Sequence, residues 1–159
     1  MNYKVEKLSE YIYEKELFEN LSNQIYYITD HLSIDYLHHQ EWFFTKQLPG
    51  LGNDNREIFF IKNHNNICGV SFLKKTPDEK KICTFYVAEH GRNIGIGRTL
   101  MKASFEYLET TTPMITMPSE KVPYFLHFIH NYNWKITQII EGYYVKNIDE
   151  VVFNGILKQ

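Results

Sequence analysis

The chain is short of the residues that serve extracellular, membrane or nucleic-acid chemistry. Cys68 and Cys83 are its two cysteines in 159 residues. Neither stands in a Cys-x-x-Cys or Cys/His spacing, which argues against a disulfide scaffold, a redox pair and a zinc site. Both are expected as reduced, packed thiols, because free cysteine behaves as a small buried hydrophobe. No uncharged apolar run reaches the roughly eighteen residues a membrane span needs, and Met1 to Lys7 carry no apolar signal-like core. The expected location is therefore the cytoplasm, with no membrane partner. Positive charge is not in excess either: 17 Lys and Arg against 19 Asp and Glu leave a formal net charge of −2, which disfavours general nucleic-acid binding by phosphate neutralisation. Five prolines and eight glycines form no linker or low-complexity tract, and no fixed-period repeat divides the sequence.

Apolar material, by contrast, is plentiful. Hydrophobic residues make up 43% of the chain, with 12 Tyr and 11 Phe among them, and the length predicts one domain over residues 1–159. Tyr3 to Lys7 read as a short first strand. Leu8, Tyr11, Phe18, Leu21, Ile25 and Ile28 then recur at helical spacing, predicting a helix or broken helix pair over 9–31 with Ser9 as N-cap. Ser33 or Asp35 is expected to cap a second helix carrying Leu37, Phe44 and Leu48, stopped by Pro49-Gly50. Residues 57–62 and 67–73 flank Asn63-His64-Asn65-Asn66 as a hairpin, and a turn at 76–79 leads into a further antiparallel strand at 82–87.

Beyond residue 95 the pattern changes period. Ile96, Leu100, Ala103, Tyr107 and Leu108 follow a helical stripe, and Met114 to Met117 read as a short buried strand. Ser119 is placed as the cap of a helix bearing Val122, Phe125, Leu126 and Ile129, with Pro123 in its first turn. Strands at about 135–145 and 150–157, turning at Asn147-Ile148-Asp149, close the sequence. The sum is an α/β (α+β) fold with a mixed, mostly antiparallel sheet and helices on both faces. Only the Val87-helix-Met114 unit demands a parallel pair.

Chemistry concentrates where that unit turns. Gly95 and Gly97 stand where a strand becomes a helix, so backbone N–H groups can face an incoming anion without a Cβ in the way. The helix dipole favours negative charge there, and Arg92 and Arg98 flank the turn with directed donors for phosphate oxygens. A dinucleotide fingerprint would need a small residue at Leu100, and a Walker loop would need Lys at Arg98 and one fewer residue between its outer glycines. Both fail.

Phe85-Tyr86-Val87 followed by Arg92-x-x-Gly95-x-Gly97 resembles motif A of the GNAT superfamily of N-acetyltransferases, and the order of elements around it agrees. The residue-level resemblance is concentrated in 81–108. It implies a GNAT-like fold whose sheet splays between the fourth and fifth strands, with acetyl-CoA as acyl donor and no metal. It places the pyrophosphate on the backbone of Arg92, Asn93, Ile94, Gly95, Ile96, Gly97 and Arg98, and the pantetheine along the edge of Phe85, Tyr86 and Val87. An extended pantetheine carries amides that can add to a strand edge as a peptide does, and a backbone N–H near Val87 could polarise the thioester carbonyl.

The resemblance is thinner for catalysis. The family's Tyr acid often lies five residues before an aromatic that follows a Gly, here the place of Asn133-Trp134, and counting back from Trp134 gives Ile129. Tyr124 and His130 on the same helix are the candidate catalytic residues, with His127 a polar neighbour. The Glu that many members carry early in the fourth strand is replaced by Lys80 and Lys81, while Glu89 and His90 fall in the loop beside the turn. Glu57 and Glu79 could act through water but are expected to be solvated beside turns. His38 and His39 point to different sides of a helix and are expected at the surface. Tyr36, Trp42, Phe43 and Phe44 are expected chiefly in the core.

The expected activity is transfer of an acetyl group from acetyl-CoA to a primary amine on a small molecule, a protein or an aminoacyl group. Homodimer formation is left open. A catalytically inactive CoA-binding sensor or interaction module is the alternative, supported by Ile129 and Lys81 standing where the acid and base are usual. A structural or nucleic-acid-associated domain with an idle glycine turn is disfavoured by Arg92 and Arg98.

Overall fold

The computed structural model describes residues 2–53 and 55–158. The β-prone runs become β1 (Val5–Lys7), β2 (Arg56–Asn63), β3 (Asn66–Lys75), β4 (Lys80–Val87), β5 (Met114–Pro118), β6 (Ile136–Glu141) and β7 (Asp149–Phe153). They form one sheet in the order β1-β2-β3-β4-β5-β7-β6. Every pairing is antiparallel except β4 with β5. That pair is joined by the crossover helix α3 (Ile96–Leu108), as a parallel pair requires.

Two apolar clusters cover the two faces. On one, Ile96, Leu100, Met101, Phe105 and Leu108 of α3 pack on Phe59, Ile61, Leu73, Ile115, Val151 and Phe153, together with α4 (Leu126–Asn131) and Trp134. On the other, Leu21, Ile25 and Tyr26 of α1 (Lys15–Thr29) and Phe43 pack on Ile58, Phe60, Val70 and Phe72. Adjacent strand residues alternate between these clusters because a strand's side chains alternate between faces. Cys68 belongs to the α3 face and Cys83 to the α1 face, so both are free thiols with the sheet between them.

The helix α3 lies close on the sheet. A Cβ at Gly69 would come within 3.0 Å of Ile96 Cγ2, so the missing side chain on β3 lets the start of α3 settle there. A buried bond between the Ser71 and Ser104 hydroxyls, 2.8 Å long, fixes the helix further along.

Several expected caps are used elsewhere. Ser9 does not start a helix: its hydroxyl and backbone N–H both go to the Glu57 carboxylate (2.6 and 3.3 Å). A 3-10 turn at Leu8–Tyr11 comes first, and α1 begins only at Lys15. Neither Ser33 nor Asp35 caps α2 (His39–Trp42), which runs directly into a π-turn, Phe43–Gln47, before the 3-10 turn at Pro49–Asn53. Ser119 opens a 3-10 segment, Ser119–Phe125, and not an α-helix. Pro123 lies within that segment, and only Leu126–Asn131 is α-helical. The closing hairpin is also shorter than expected, because the left-handed Gly142 (φ 61°) and Asn147 (φ 67°) bound a longer connection between β6 and β7.

Candidate active site

The parallel pairing of β4 with β5 covers two positions, Lys81 with Met114 and Ile82 with Ile115. Past them the strands part. β4 runs on to Val87, bonded to β3 on one side through Ser71–Phe85, Val70–Tyr86 and Gly69–Val87, while among the described residues no strand pairs with its other edge there. A register shift between Phe72 and Leu73, opposite Cys83, marks a β-bulge just where the parting begins. Bulges raise local twist and end pairing, so the opening is built into β4. Phe85 and Val87 face the α3 cluster and Tyr86 the α1 cluster.

The open edge leads through a short 3-10 turn, Glu89–Gly91, into the glycine turn. Asn93 (φ 63°) and Gly95 (φ 93°) are both left-handed, a conformation Asn tolerates and Gly takes freely. Thr99 N–H makes the bond back to the Gly95 carbonyl at 3.0 Å, so the amides of Ile96, Gly97 and Arg98 precede the first intrahelical bond and point out of the helix end. A Cβ at Gly95 would meet nothing within 4 Å, and one at Gly97 only Val87 Cγ2 at 3.7 Å. The turn therefore presents open space beside bare backbone at the start of a thirteen-residue helix, a setting that fits a pyrophosphate.

Arg92 is turned back along β4. Its Nε–H donates to the Val87 carbonyl at 2.9 Å, and its guanidinium lies 5.9 Å from the ring centres of both Tyr86 and Tyr124. The side chain thus bridges the mouth of the opening from β4 to the segment after β5, with Lys121 also over the Tyr124 ring at 5.8 Å. His31, in the 3-10 turn Asp30–Ile34 that follows α1, packs its ring 4.4 Å from that of Tyr86. Burial and the charge of Lys121 hold its pKa below the ordinary value.

The two catalytic candidates are not brought together. Tyr124 is 69% exposed beneath Arg92 and Lys121, and His130 is exposed near the far end of α4. His127 is exposed and shares a hydrogen bond with Asn131. Ile129 packs against the α3-side core, and Asn133 takes the left-handed position before Trp134 (φ 57°) that the resemblance assigns to Gly. The Trp134 indole donates to the Thr111 carbonyl at 2.8 Å, tying α4 to the loop after α3.

Glu57 and His39 depart from expectation. Glu57 is buried, and its carboxylate accepts from Ser9 N–H, Ser9 Oγ and Ile58 N–H, so it ties the N-terminal segment to β2. His39 is buried against Thr29 Oγ1 at 2.9 Å, and burial lowers its pKa, whereas His38 stays exposed. Glu79 pairs with Lys74 at 3.0 Å. Phe43 lies in the core and Trp42 stacks on Phe72, but Phe44 is partly exposed and Tyr36 is engaged elsewhere.

That engagement involves a residue the sequence did not single out. Glu150, at the start of β7, is 3% exposed and accepts a hydrogen bond from the Tyr36 hydroxyl at 3.2 Å. Burial pushes its carboxyl up to about 7, with the hydroxyls of Thr116 and Tyr36 opposing. Tyr36 and Tyr144 meet edge to face, 4.8 Å between centres. Burial raises both phenols, that of Tyr144 to about 12. Among the described residues no cluster of three or more metal-binding side chains occurs and no helix is long and apolar enough to cross a membrane.

Among curated proteins, none matches the chain. Solved structures do. A Desulfovibrio desulfuricans protein described as a GNAT-family acetyltransferase aligns over 72% of this chain and 76% of its own, at 15% identity and a TM-score of 0.58. The ribosomal-protein-S18-alanine N-acetyltransferase of Escherichia coli aligns over 67% and 74%, at 13% identity and 0.55. A GNAT-family acetyltransferase of Elizabethkingia anophelis with acetyl-CoA bound aligns over 69% and 81%, at 21% identity and 0.51. These likenesses are of fold. The family model for the GNAT acetyltransferases matches residues 16–115, the greater part of the chain, and on that match the chain belongs to the acetyltransferase (GNAT) family.

Proposed function

We propose that the chain is an acetyl-CoA-dependent N-acetyltransferase that binds its donor at the glycine turn and along the open edge of β4. The carrying observation is their continuity: an unpaired strand edge at Phe85, Tyr86 and Val87 runs into a left-handed turn whose amides of Ile96, Gly97 and Arg98 precede the first bond of α3. A ligand with an extended amide-bearing arm and a pyrophosphate at one end matches both parts. Asn93, Ile94 and Gly95 complete the turn around the pyrophosphate. Arg98 adds charge beside it, and Arg92 frames the mouth from the β4 side. An acyl group at the other end of the arm would lie in the opening between β4 and β5, where a backbone N–H near Val87 is the candidate donor to a developing oxyanion.

The acceptor proposed is a primary amine. One neighbour in fold is named for acting on an alanine of a ribosomal protein, so a protein N-terminus and a small amine both belong among the substrates to try. Tyr124 beneath Arg92 stands beside the opening and remains the better of the two sequence candidates for protonating the departing thiolate. His130 is exposed, and among the described residues it has no contact with Arg92 like that of Tyr124.

The test is isothermal calorimetry with acetyl-CoA and CoA, followed by thiol release with an amine panel. Binding with turnover supports the reading. Binding with no turnover on any amine supports the inactive CoA-binding module, and no binding removes the basis of both.

A further inference from the structure

Two glutamates of this sheet are almost equally buried, and their surroundings differ. Glu57 has hydrogen bonds from two backbone N–H groups and a hydroxyl, the arrangement of a structural carboxylate. Among the described residues, the hydrogen-bond partners of Glu150 are the hydroxyls of Tyr36 and Thr116. Among the described residues no Lys or Arg lies within ion-pair distance of it; Lys81 acts only from further off, and the nearby charge of Asp35 opposes ionisation. An unpaired buried carboxylate is costly to keep, and a carboxyl that titrates near neutrality is suited to exchanging a proton.

Its position gives that exchange a purpose. Glu150 pairs with Pro118, and Pro118 stands as far beyond the last β4–β5 contact, Ile82 with Ile115, as Phe85 does on β4. The carboxyl is thus level with the open stretch of β4. It faces the α1 side, since its neighbour Val151 belongs to the α3-side cluster and strand side chains alternate. Tyr36 comes from the segment before α2 and Tyr144 from the β6–β7 connection, and Cys83 of β4 is near enough to Tyr144 to influence its phenol electrostatically. Two aromatic rings packed on each other beside a buried carboxyl, level with the stretch where β4 and β5 part, are groups that can receive an ammonium.

Resting on the donor site proposed above, we infer that Glu150 binds the acceptor's ammonium group and takes its proton, and that the acceptor is a primary alkylammonium whose head enters past Tyr36 and Tyr144. The ionised carboxylate accepts one proton from R–NH3+, giving R–NH2 and the neutral acid. The amine nitrogen then attacks the thioester carbonyl; the C–N bond forms and the C–S bond breaks. The second proton shed by that nitrogen neutralises the departing thiolate, and the proton on Glu150 returns to solvent.

The probes are acetyl-CoA with spermidine, tyramine, n-butylamine and an alanine-first peptide. Glu150→Gln should bind acetyl-CoA as the parent does and lose about 10² or more in kcat/KM. The parent's kcat/KM should rise as pH climbs through about 7, the value to which burial pushes the carboxyl, because only the ionised form accepts a proton. That limb should vanish in Glu150→Gln and return in Glu150→Asp. Tyr144→Ala, at a partly exposed site in the β6–β7 connection, should raise KM for the amine more than it lowers kcat. A Glu150→Gln variant that binds acetyl-CoA and keeps the parental rate and pH profile would overturn the inference, as would absence of both turnover and amine binding by the CoA-saturated parent across the panel. Failure of the parent to bind acetyl-CoA would instead overturn the donor site, and this inference with it.

Discussion

The two glycines of the turn make different demands, and substituting each separates folding from binding. Gly95 sits at φ +93°, where an L-residue costs about 1–2 kcal/mol. For a domain of this size that lowers Tm by roughly 2–8 °C in Gly95→Ala. Gly97 has no such constraint: its Cβ would meet only Val87 Cγ2, at an ordinary 3.7 Å. Alanine in place of glycine at a compatible helical position stabilises by about 0.4–1 kcal/mol, so Gly97→Ala should melt no lower than the parent. The same methyl would stand between the turn and the end of β4, over the amides assigned to the pyrophosphate. Losing one hydrogen bond to a charged group costs about 1.5–3 kcal/mol, or roughly 10- to 100-fold in Kd, and Gly97→Val should cost more because it is branched. Arg98→Ala should weaken binding less, and its loss should shrink as salt is raised. Calorimetry with acetyl-CoA, paired with thermal melts, reads both quantities. A Gly97→Ala protein that melts like the parent and binds acetyl-CoA with the parental Kd would refute the assignment of the turn to the phosphates.

Other consequences can be checked directly. Arg92→Lys keeps the charge but loses the planar guanidinium that bonds Val87 and lies over Tyr86 and Tyr124, so amide exchange in 119–125 should accelerate with the global melt unchanged. Glu57→Ala leaves two N–H groups and the Ser9 hydroxyl without their acceptor, and should cost about 1–3 kcal/mol in chemical denaturation, with protease sensitivity rising ahead of α1. Two pH dependences should oppose each other. His39 titrates lower folded than unfolded, so its cost appears as pH falls through about 6.5. Glu150 titrates higher folded, so its stabilising share is present below about 4.5 and lost as pH rises through about 7. The Tm of Glu150→Gln relative to the parent should therefore climb between pH 5 and pH 8.

Local patterns were the legible part of the sequence. The alternating run through Phe85 and Val87, the hairpin around 63–66 and the stripe of α3 each carry their signal within a dozen residues, and the neighbours β2-β3-β4 and the parallel β4-β5 pair followed from them, but not the place of β7 between β5 and β6. The Gly95-x-Gly97 turn was legible because its left-handed, bare backbone is recorded in the motif as missing side chains. Caps failed for a long-range reason: Ser9 faces Glu57, forty-eight residues away, and a partner that distant outcompetes the helix start. The helix expected at 119–131 breaks into a 3-10 segment and a short α-helix. Asn133 could be matched to the family's Gly because both accept φ near +60°.

Glu150 escaped notice because its setting is assembled from four places. Tyr36 precedes α2, Thr116 is on β5, Tyr144 lies beyond β6, and the carboxyl itself opens β7 between β5 and β6. In the sequence Glu150 is one acid after Asp149 beside a turn, where solvation is the sound default. Only the insertion of β7 between β5 and β6 carries it inward. The same topology explains the division of the site. The donor site proposed above needs a repeating amide ladder and an anion hole, which consecutive backbone supplies. The acceptor site inferred above needs a charge that changes with its own protonation, which a side chain supplies, and folding selects which one. Lys80 and Lys81 occupy the stretch of β4 where the family resemblance implies a Glu, so the carboxylate that the inferred proton transfer uses comes from elsewhere. Of the two buried on this sheet, Glu57 is spent on hydrogen bonds to Ser9 and Ile58, which leaves Glu150.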